Sequence, residues 1–375
     1  MTSVGIVGAG ASGCLCAYFL LKTGVDVTLF DYGKPLRTLL PTGGGRCNLA
    51  HAEYDFKELV KSYPRGEKFL YSVFSRFSTY DTLSLFEELG VKTYSQEDGR
   101  IFPVSNDSKD VRNAILKNLN GANIVNECVL AVIKADSGYK IKTEKADYFF
   151  DKVVIATGGG LKSKPISGLE QKIIPYTPSL VGLNSNIQNL SGVVLKNVYS
   201  KDCNISDDIL FTHYGISGPL AYKISSLKTK ECFPYTLTFD LYKTDFDFQE
   251  MLNSNPHKDL KNILAQIFPH RFAEYISGDM ADIKAHRIDG KTRDGILKPI
   301  HEFKLVITGF NKGEETVTSG GYDLNEINPK TMESKIYHDL YIIGEALDID
   351  GFCGGYNLQN AWSTAYIASE AIIGK

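Results

Sequence analysis

Residues 3–13 read SVGIVGAGASG, a short apolar run that breaks into the spaced glycines Gly8-x-Gly10-x-x-Gly13. An apolar run of this length, closed by glycine, reads as a buried strand. From Ser12 to Thr23 small and apolar residues recur at Gly13, Ala17, Leu20 and Leu21, the spacing of a helix, and Gly24 is placed to stop it. Residues 25–30, VDVTLF, then form a second strand ending at Asp31. Strand, glycine turn, helix and strand in about thirty residues make the start of a βαβ unit. The glycine spacing is that of a dinucleotide-binding turn. The first glycine permits the tight turn, the second lets backbone N–H groups approach a pyrophosphate, and the third packs helix on strand. Asp31 follows about twenty residues on, where a carboxylate binds a ribose diol. It suits the free ribose of NAD or FAD and repels the extra phosphate of NADP.

Outward from this turn the pattern changes several times. Residues 33–48 are a loop rich in Gly, Pro and Thr, and 55–90 are helical around FLYSVFSRF and TLSLFEELG. Helix and short strand follow through VRNAILKNL and ANIVNECVLAVIKA. KVVIAT at 152–157 is another buried strand, closed by Gly158-Gly159-Gly160. Residues 173–243 carry short alternating runs between turn residues, the signature of a small β-barrel. Residues 245–298 are mainly helical, FKLVITGF at 303–310 returns to strand, and IYHDLYII at 336–343 is a last buried strand before Gly344-Glu345. The expectation is an α/β protein whose Rossmann-type domain is split between 1–172 and 319–375. A β-barrel-like insert at 173–243 and 299–318 and a small helical insert at 244–298 lie between the halves.

Composition bounds the function. At 375 residues and 43% hydrophobic the chain has core enough for two or three domains. A net charge of -3 argues against a broad basic face for nucleic acid. One basic island, HRIDGKTRDGILK at 286–298, reads as a solvated face. The 21 Tyr and 20 Phe are spread through strand and helix patterns and read as core. No run reaches the roughly 18 apolar residues of a membrane span, and the first residues lack the basic start of a secretion signal. Seven cysteines without a CxxC pair suggest free thiols in a reducing cytoplasm. His51, His257, His270, His286, His301 and His338 show no metal-ligand spacing, so no metal is expected.

The residues favour one firmly held dinucleotide. A second GxGxxG is absent: Gly158-Gly159-Gly160 continues as Leu-Lys-Ser-Lys-Pro, and Pro165 argues against a phosphate-binding helix there. A single dinucleotide with contacts from distant segments is how FAD is held. TGGGRCN (42–48), ATGGG (156–160) and GEALDIDGFCGGYNLQNAW (344–362) supply such segments.

With these stretches, and with LFTHYGISGP (210–219), VTSGG (317–321) and INPKTMESK (327–335), the chain resembles the YhiN-type, aminoacetone-oxidase-like bacterial FAD-dependent oxidoreductases. The resemblance spans residues 4–360 in the family's order. It implies a split FAD domain of the glutathione-reductase-like sort, interrupted by a β-barrel and a small helical domain. Carried over by position, Ala11 and Ser12 meet the pyrophosphate and Asp31 the adenosine ribose. Arg37, Gly44 and Gly45 lie along the cofactor, with Thr157 and Gly158, and the backbone of Val129 holds the adenine edge. Gly344 and Glu345 bind near the pyrophosphate and ribityl chain, and Gly355, Asn357 and Leu358 meet the flavin end. Asp31 stands where the family more often has Glu, and Cys353 where it usually has Thr. The family's longer segment after ATGG is shortened here to LKSKPISGLEQKIIP.

The implied chemistry is hydride or electron transfer, with the protein supplying position and electrostatics. Leu358, Ala361, Trp362, Ala365, Ala368 and Ile372 keep helical spacing, so a helix starting near Tyr356 would aim its free N–H groups at the anionic edge of reduced flavin. Cys47 and Cys353 read as packing residues, with a proton donor or redox thiol as the alternative. Tyr356 reads as a packing residue, and His213 as a structural histidine in a turn, with a general acid as the alternative. The catalytic acid is left unassigned. The leading functional expectation is a cytoplasmic FAD-dependent oxidoreductase acting between transiently bound NAD(P)H and an unidentified substrate. The resemblance adds an alternative, reduction of uridine to dihydrouridine in ribosomal RNA. A flavin-binding protein without turnover is a third class.

Overall fold

The computed structural model describes residues 2–160, 166–187, 189–242, 247–311 and 317–374. The chain forms two compact units, one of Met1–Thr177 with Val317–Lys375 and one of Pro178–Thr316. These divisions fall beside the 172/173 and 318/319 boundaries expected from the sequence; the expected 243/244 boundary lies outside the described residues.

The first unit is built on a five-stranded parallel sheet. Its strands are β1 (Ser3–Val7), β2 (Asp26–Phe30), β3 (Asn123–Val125), β4 (Lys152–Ile155) and, after β5 (Val317–Tyr322), β6 (Leu340–Ile342). The order is β6-β4-β1-β2-β3. Ser3 to Val7 pair in register with Asp26 to Phe30 on one side, and Val4 to Val7 with Lys152 to Ile155 on the other. Helix α1 (Ala11–Leu21) lies against β2 and packs on the C-terminal helix. Cys14, Leu15, Cys16, Ala17 and Leu20 of α1 are all fully buried. A helix apolar on every side belongs in a core, so α1 reads weakly as an amphipathic pattern. The meander of Val129–Lys134, Tyr139–Thr143 and Asp147–Phe150 covers the sheet beside Gly5, where a Cβ would stand 2.6 Å from both Ile141 and Phe150. Strands fully buried by covers of this kind read as continuous apolar runs, which is why SVGIV and KVVI are legible.

The second unit holds a closed six-stranded barrel. Around it run 183–185, 215–217, 205–211, 194–200, 235–240 and 303–310. Val198, Phe211, Leu237, Phe239, Leu305 and Ile307 fill it, and the same core continues into Leu260, Ile263, Leu264 and Ile300 of the helical segment. Phe272 links the two, with ring centroids 5.9 Å from Phe211 and 5.8 Å from Phe303. Barrel and helices therefore share one core.

Two local expectations are corrected. The strand expected over 336–343 is only Leu340–Ile342, because Asp339 takes a left-handed φ of 65° and Ile336 is exposed. Residues 173–177, expected within the barrel, belong to the first unit, where Ile173–Ser179 pairs with β5. No helix among the described residues is long and apolar enough to cross a membrane.

Candidate cofactor site

The three glycines of the first turn occupy three different environments. Gly8 has φ 109°, and a Cβ on it would stand 2.2 Å from the Ala156 carbonyl oxygen of the neighbouring strand. A Cβ on Gly13 would stand 1.9 Å from the Gly8 carbonyl oxygen, so helix and turn close on each other there. Gly10, with ordinary extended φ and ψ, has nothing within 4 Å of an added Cβ. The first and third glycines make the turn tight, and the second opens it. No side chain caps α1, so its first N–H groups face that opening.

Asp31 ties this turn to the end of β2. Its Oδ2 accepts from the N–H of Ala9 at 2.9 Å and its Oδ1 from that of Gly33 at 2.8 Å. Each oxygen retains a second lone pair for a ribose hydroxyl. The N–H of Asp31 donates to the Val125 carbonyl, and Asn126, its amide turned to satisfy both atoms, donates to the Asp31 carbonyl at 3.0 Å. Val129 opens the meander just beyond. Arg37 lies 4.3 Å over the ring of Tyr32, and the N–H of Leu36 donates to Ala9, so this loop is fixed to the same turn.

On the other side of α1 stands the turn at 344–345. Gly344 has φ 66°, and an added Cβ would meet Ser12 Oγ at 2.5 Å, which puts the two turns in contact. Its N–H donates to Thr364 Oγ1 at 2.9 Å. Glu345 Oε1 accepts from the N–H of Thr318 at 2.8 Å. Gly158 sits with its Cβ position 4.0 Å from Glu345 Oε2, and Gly159 has its own 3.0 Å from Oε1; Thr157 precedes them at the end of β4. Burial pushes the Glu345 carboxyl up to about 7, opposed by the N–H groups of Thr318 and Gly159, with Asp350 adding a smaller push upward.

The C-terminal helix, α3 in a count where α2 is Gly290–His301, spans Tyr356–Ile372. Gly355 caps it in the left-handed region, and a Cβ there would lie 2.4 Å from the carbonyl carbon of Ala50. The loop before it is pinned from several sides. Asp350 is fully buried and forms a two-pronged ion pair with Arg65. The Asn357 amide accepts from the Gly351 N–H and donates to the Gly351 carbonyl, both at 2.8 Å. Tyr63 OH donates to the Tyr356 carbonyl at 2.7 Å, and His51 stacks on Tyr356 at 4.7 Å. Asn48, with its amide turned likewise, accepts from the Gly355 N–H at 3.0 Å, and Trp362 Nε1 donates to Leu49 at 3.0 Å. TGGGRCN is thereby joined to the start of α3. Within it Gly44 (φ 67°) and Gly45 (φ 86°) have open space where a Cβ would stand.

Two sets of contacts therefore involve the expected residues in the first unit. Gly8, Ser12, Gly13, Gly344, Glu345 and Gly158 meet around the first turn, with Asp31 held to Ala9. Gly355 meets Ala50 and Asn48 in the segment that follows Gly44 and Gly45. Two side chains differ from expectation. The Asn357 amide is engaged by Gly351, leaving the backbone N–H groups of the first α3 turn, Leu358 included, as its polar offering. Cys353, expected to pack, is exposed. Cys47 is fully buried with φ 64°, and burial holds its thiol up to about 12 despite a hydrogen bond from Thr42, so it is inert packing. His213 lies exposed in the turn before 215–217 of the second unit. Residues 161–165 of the shortened segment lie outside the described residues.

Thr318, Thr364, Arg65 and Asp350 are the site's supports that sequence reasoning missed. Only VTSGG carried a signal, since Gly320 and Gly321 both take positive φ where a Cβ would meet backbone carbonyls. Glu333, His338 and Asp339 bring three metal-ligating side chains together outside this site. His338 Nδ1 stands 2.8 Å from Glu333 Oε1 and its Nε2 3.3 Å from Asp339 Oδ2, and Lys152 pairs with Asp339 at 2.9 Å.

An open helix N-terminus, the Asp31 carboxylate beside it and two further glycine turns suit an extended dinucleotide. Comparison with known proteins agrees. The family model described as the HI0933-like protein Rossmann domain matches residues 2–371. The chain is 29% identical over 98% of its length to a ribosomal RNA dihydrouridine synthase of Escherichia coli K12, covering 97% of that protein. It is 30% identical, with the same coverage, to one of Haemophilus influenzae. A 3-dehydro-bile acid delta(4,6)-reductase of Clostridium scindens is 26% identical over 99% of both chains. Among solved structures, Mycobacterium smegmatis Sdh1 aligns with TM-score 0.51 at 14% identity, over 99% of this chain and 67% of that one. A 3-ketosteroid delta1-dehydrogenase of Sterolibacterium denitrificans aligns with TM-score 0.50 at 12% identity over 99% of both. These two show the fold alone. The chain belongs to the HI0933-like family of flavin-dependent Rossmann-domain oxidoreductases.

Proposed function

We propose that this member of the HI0933-like family uses bound FAD to reduce uridine in ribosomal RNA to dihydrouridine, with NAD(P)H as transient reductant. The observation that carries the reading is the end-to-end similarity to two ribosomal RNA dihydrouridine synthases. On this reading the substrate is a base in RNA, the alternative that the sequence resemblance carried. In balance, NAD(P)H and one proton enter and NAD(P)+ leaves. The C5=C6 double bond of uracil becomes a single bond with a new hydrogen on each carbon.

Bound FAD would supply the two-electron chemistry, and the chain supplies binding and polarity. The N–H groups of Ala11 and Ser12 would hold the pyrophosphate, Asp31 the adenosine ribose and the Val129 backbone the adenine edge. Arg37, Gly44, Gly45, Thr157 and Gly158 would line the length of the cofactor. Glu345, whose carboxyl burial holds up to about 7, would lie beside the pyrophosphate and ribityl chain. Gly355, Asn357 and Leu358 would bring the positive end of α3 to the flavin, worth roughly 0.5–2 kcal/mol for a negative charge there.

A second reading is favoured by the bile-acid relative. Its name denotes a carbon–carbon double bond conjugated to a carbonyl, the same electronic unit as C6=C5–C4=O of uracil. Anaerobic stopped-flow separates the two. Protein reduced by NADPH should be reoxidised by unmodified ribosomal RNA and not by a steroid dienone; the reverse preference would replace the first reading with the second.

A further inference from the structure

Asn120 and Gly121 form the one Asn-Gly pair in the chain. They lie in the turn between the helix Ser108–Lys117 and β3, and both are exposed. The turn closes around them, with the N–H of Ala122 donating to the Leu119 carbonyl at 2.9 Å and Leu119 itself buried. Inside it, neither the Asn120 side-chain amide nor the Gly121 N–H has a hydrogen-bond partner among the described residues. Backbone geometry does not require glycine at 121, whose φ lies outside the left-handed region. An added Cβ there would approach only Leu21 Cδ2, at 3.2 Å, the free end of a flexible side chain.

The main-chain nitrogen that follows an asparagine is a nucleophile within reach of that asparagine's own Cγ. A hydrogen bond on either group, a bulky following side chain, or a regular ladder that fixes the backbone keeps the two apart. None of these acts at Asn120, and each acts on a neighbour. Asn118 donates its amide to the Ala114 carbonyl at 2.9 Å and is followed by leucine. Asn123 is held in β3 opposite Thr28, and the β-branched Ile124 follows it. The Asn126 amide is engaged by the carbonyls of Asp31 and Tyr32. Asn255 and Asn328 precede proline, which has no N–H to offer.

We infer that Asn120-Gly121 is a site of spontaneous deamidation, at which the chain gains negative charge with age. The Gly121 nitrogen gives its proton to solvent base and bonds to Asn120 Cγ. The Cγ–Nδ2 bond breaks, ammonia leaves and a succinimide ring remains. One water then adds to either ring carbonyl and opens it. Opening at Cγ yields aspartate; opening at the main-chain carbonyl yields isoaspartate, whose backbone runs through Cβ and Cγ. Nothing is oxidised or reduced. Either product carries a carboxylate that is ionised at neutral pH. It stands just past the C-terminal end of the helix Ser108–Lys117, where negative charge meets unpaired carbonyls and is unfavourable. The isoaspartyl product also lengthens the connection into β3, whose Val125 carbonyl accepts the Asp31 N–H.

The test keeps the flavin-loaded protein in mildly alkaline buffer and follows it by isoelectric focusing. Mass spectrometry of the tryptic peptide 118–134, which holds Asn118, Asn120, Asn123 and Asn126 together, locates the change. The wild type should accumulate an acidic species with aspartate and isoaspartate at position 120 alone. Gly121→Ala should lose that species, because the added methyl hinders attack while the backbone accepts alanine. Asn120→Gln, which keeps the amide but misplaces its carbon, should lose it as well. An acidic species forming as fast in Gly121→Ala, or deamidation at Asn118, Asn123 or Asn126 as fast as at Asn120, would overturn the inference. So would a wild type left intact over a time in which the free peptide 118–134 deamidates, for the turn would then protect the pair.

Discussion

Helices α1 and α3 both begin at a glycine, and the two glycines do opposite work. Gly10 has ordinary extended torsions and open space at its Cβ position, because Gly8 and Gly13 on either side already make the turn. Gly355 is left-handed and pressed against Ala50, and its loop is closed by Asn48, Asn357, Tyr63 and the Arg65–Asp350 pair. One helix start is an opening framed by tight neighbours; the other is a tightly packed joint. A glycine motif therefore reports a ligand only where its neighbours leave room, and substitution separates the two cases.

The largest effect is expected at Gly8. Gly8→Ala would force a Cβ into the Ala156 carbonyl at positive φ, and a loss of about 4 kcal/mol or outright misfolding should appear in urea unfolding. Wild-type stability in this variant would contradict the tight turn. Arg65→Met should follow closely, at about 3 kcal/mol, since it strands the fully buried Asp350 carboxylate.

Glu345→Gln sharpens the comparison through pH. The folded carboxyl titrates near 7 and the unfolded one near 4.5, so ionisation costs stability as pH rises between these values. The wild type should lose on the order of 2 kcal/mol across that window, discounting the full shift for residual hydration, and the Gln variant should not. Parallel pH profiles of thermal unfolding in the two proteins would rule out a raised Glu345 carboxyl. Asn357→Ala should cost about 1–2 kcal/mol by freeing Gly351, with the loss visible in the denaturant midpoint.

The smallest stability change, within about 0.5 kcal/mol, belongs to Gly10→Ala. Its flavin content, read from absorbance after purification, should nonetheless fall sharply, because the added methyl stands where the pyrophosphate approaches. Full flavin occupancy would dissolve the distinction between the two helix starts.

Much of this was legible in the sequence because parallel strands buried on both faces leave continuous apolar runs. SVGIV and KVVI fall where they were read, as does the glycine turn, whereas FKLVITGF is an antiparallel barrel strand legible from its alternation. Of the meander at 129–150 only the first strand, within ANIVNECVLAVIKA, was read; the other two are five and four residues long. The turns at the glycines expected to face the cofactor were readable from turn chemistry. The partners of their supports were not: Thr318 lies in VTSGG and Asp350 in the run 344–362, but the contacts of Thr318, Thr364 and the Arg65–Asp350 pair act across long chain separations. Asn357 shows the same gap, for its place was read and its partner Gly351 was not.

The central claim is the reduction of uridine in ribosomal RNA, and the most direct measurement is nucleoside mass spectrometry. Unmodified ribosomal RNA transcript incubated with the flavin-loaded protein and NADPH or NADH should yield dihydrouridine at a defined position, and none when the reductant or Gly8 is removed. An RNA unchanged in mass, from a protein whose flavin is reduced by NAD(P)H, would contradict the claim.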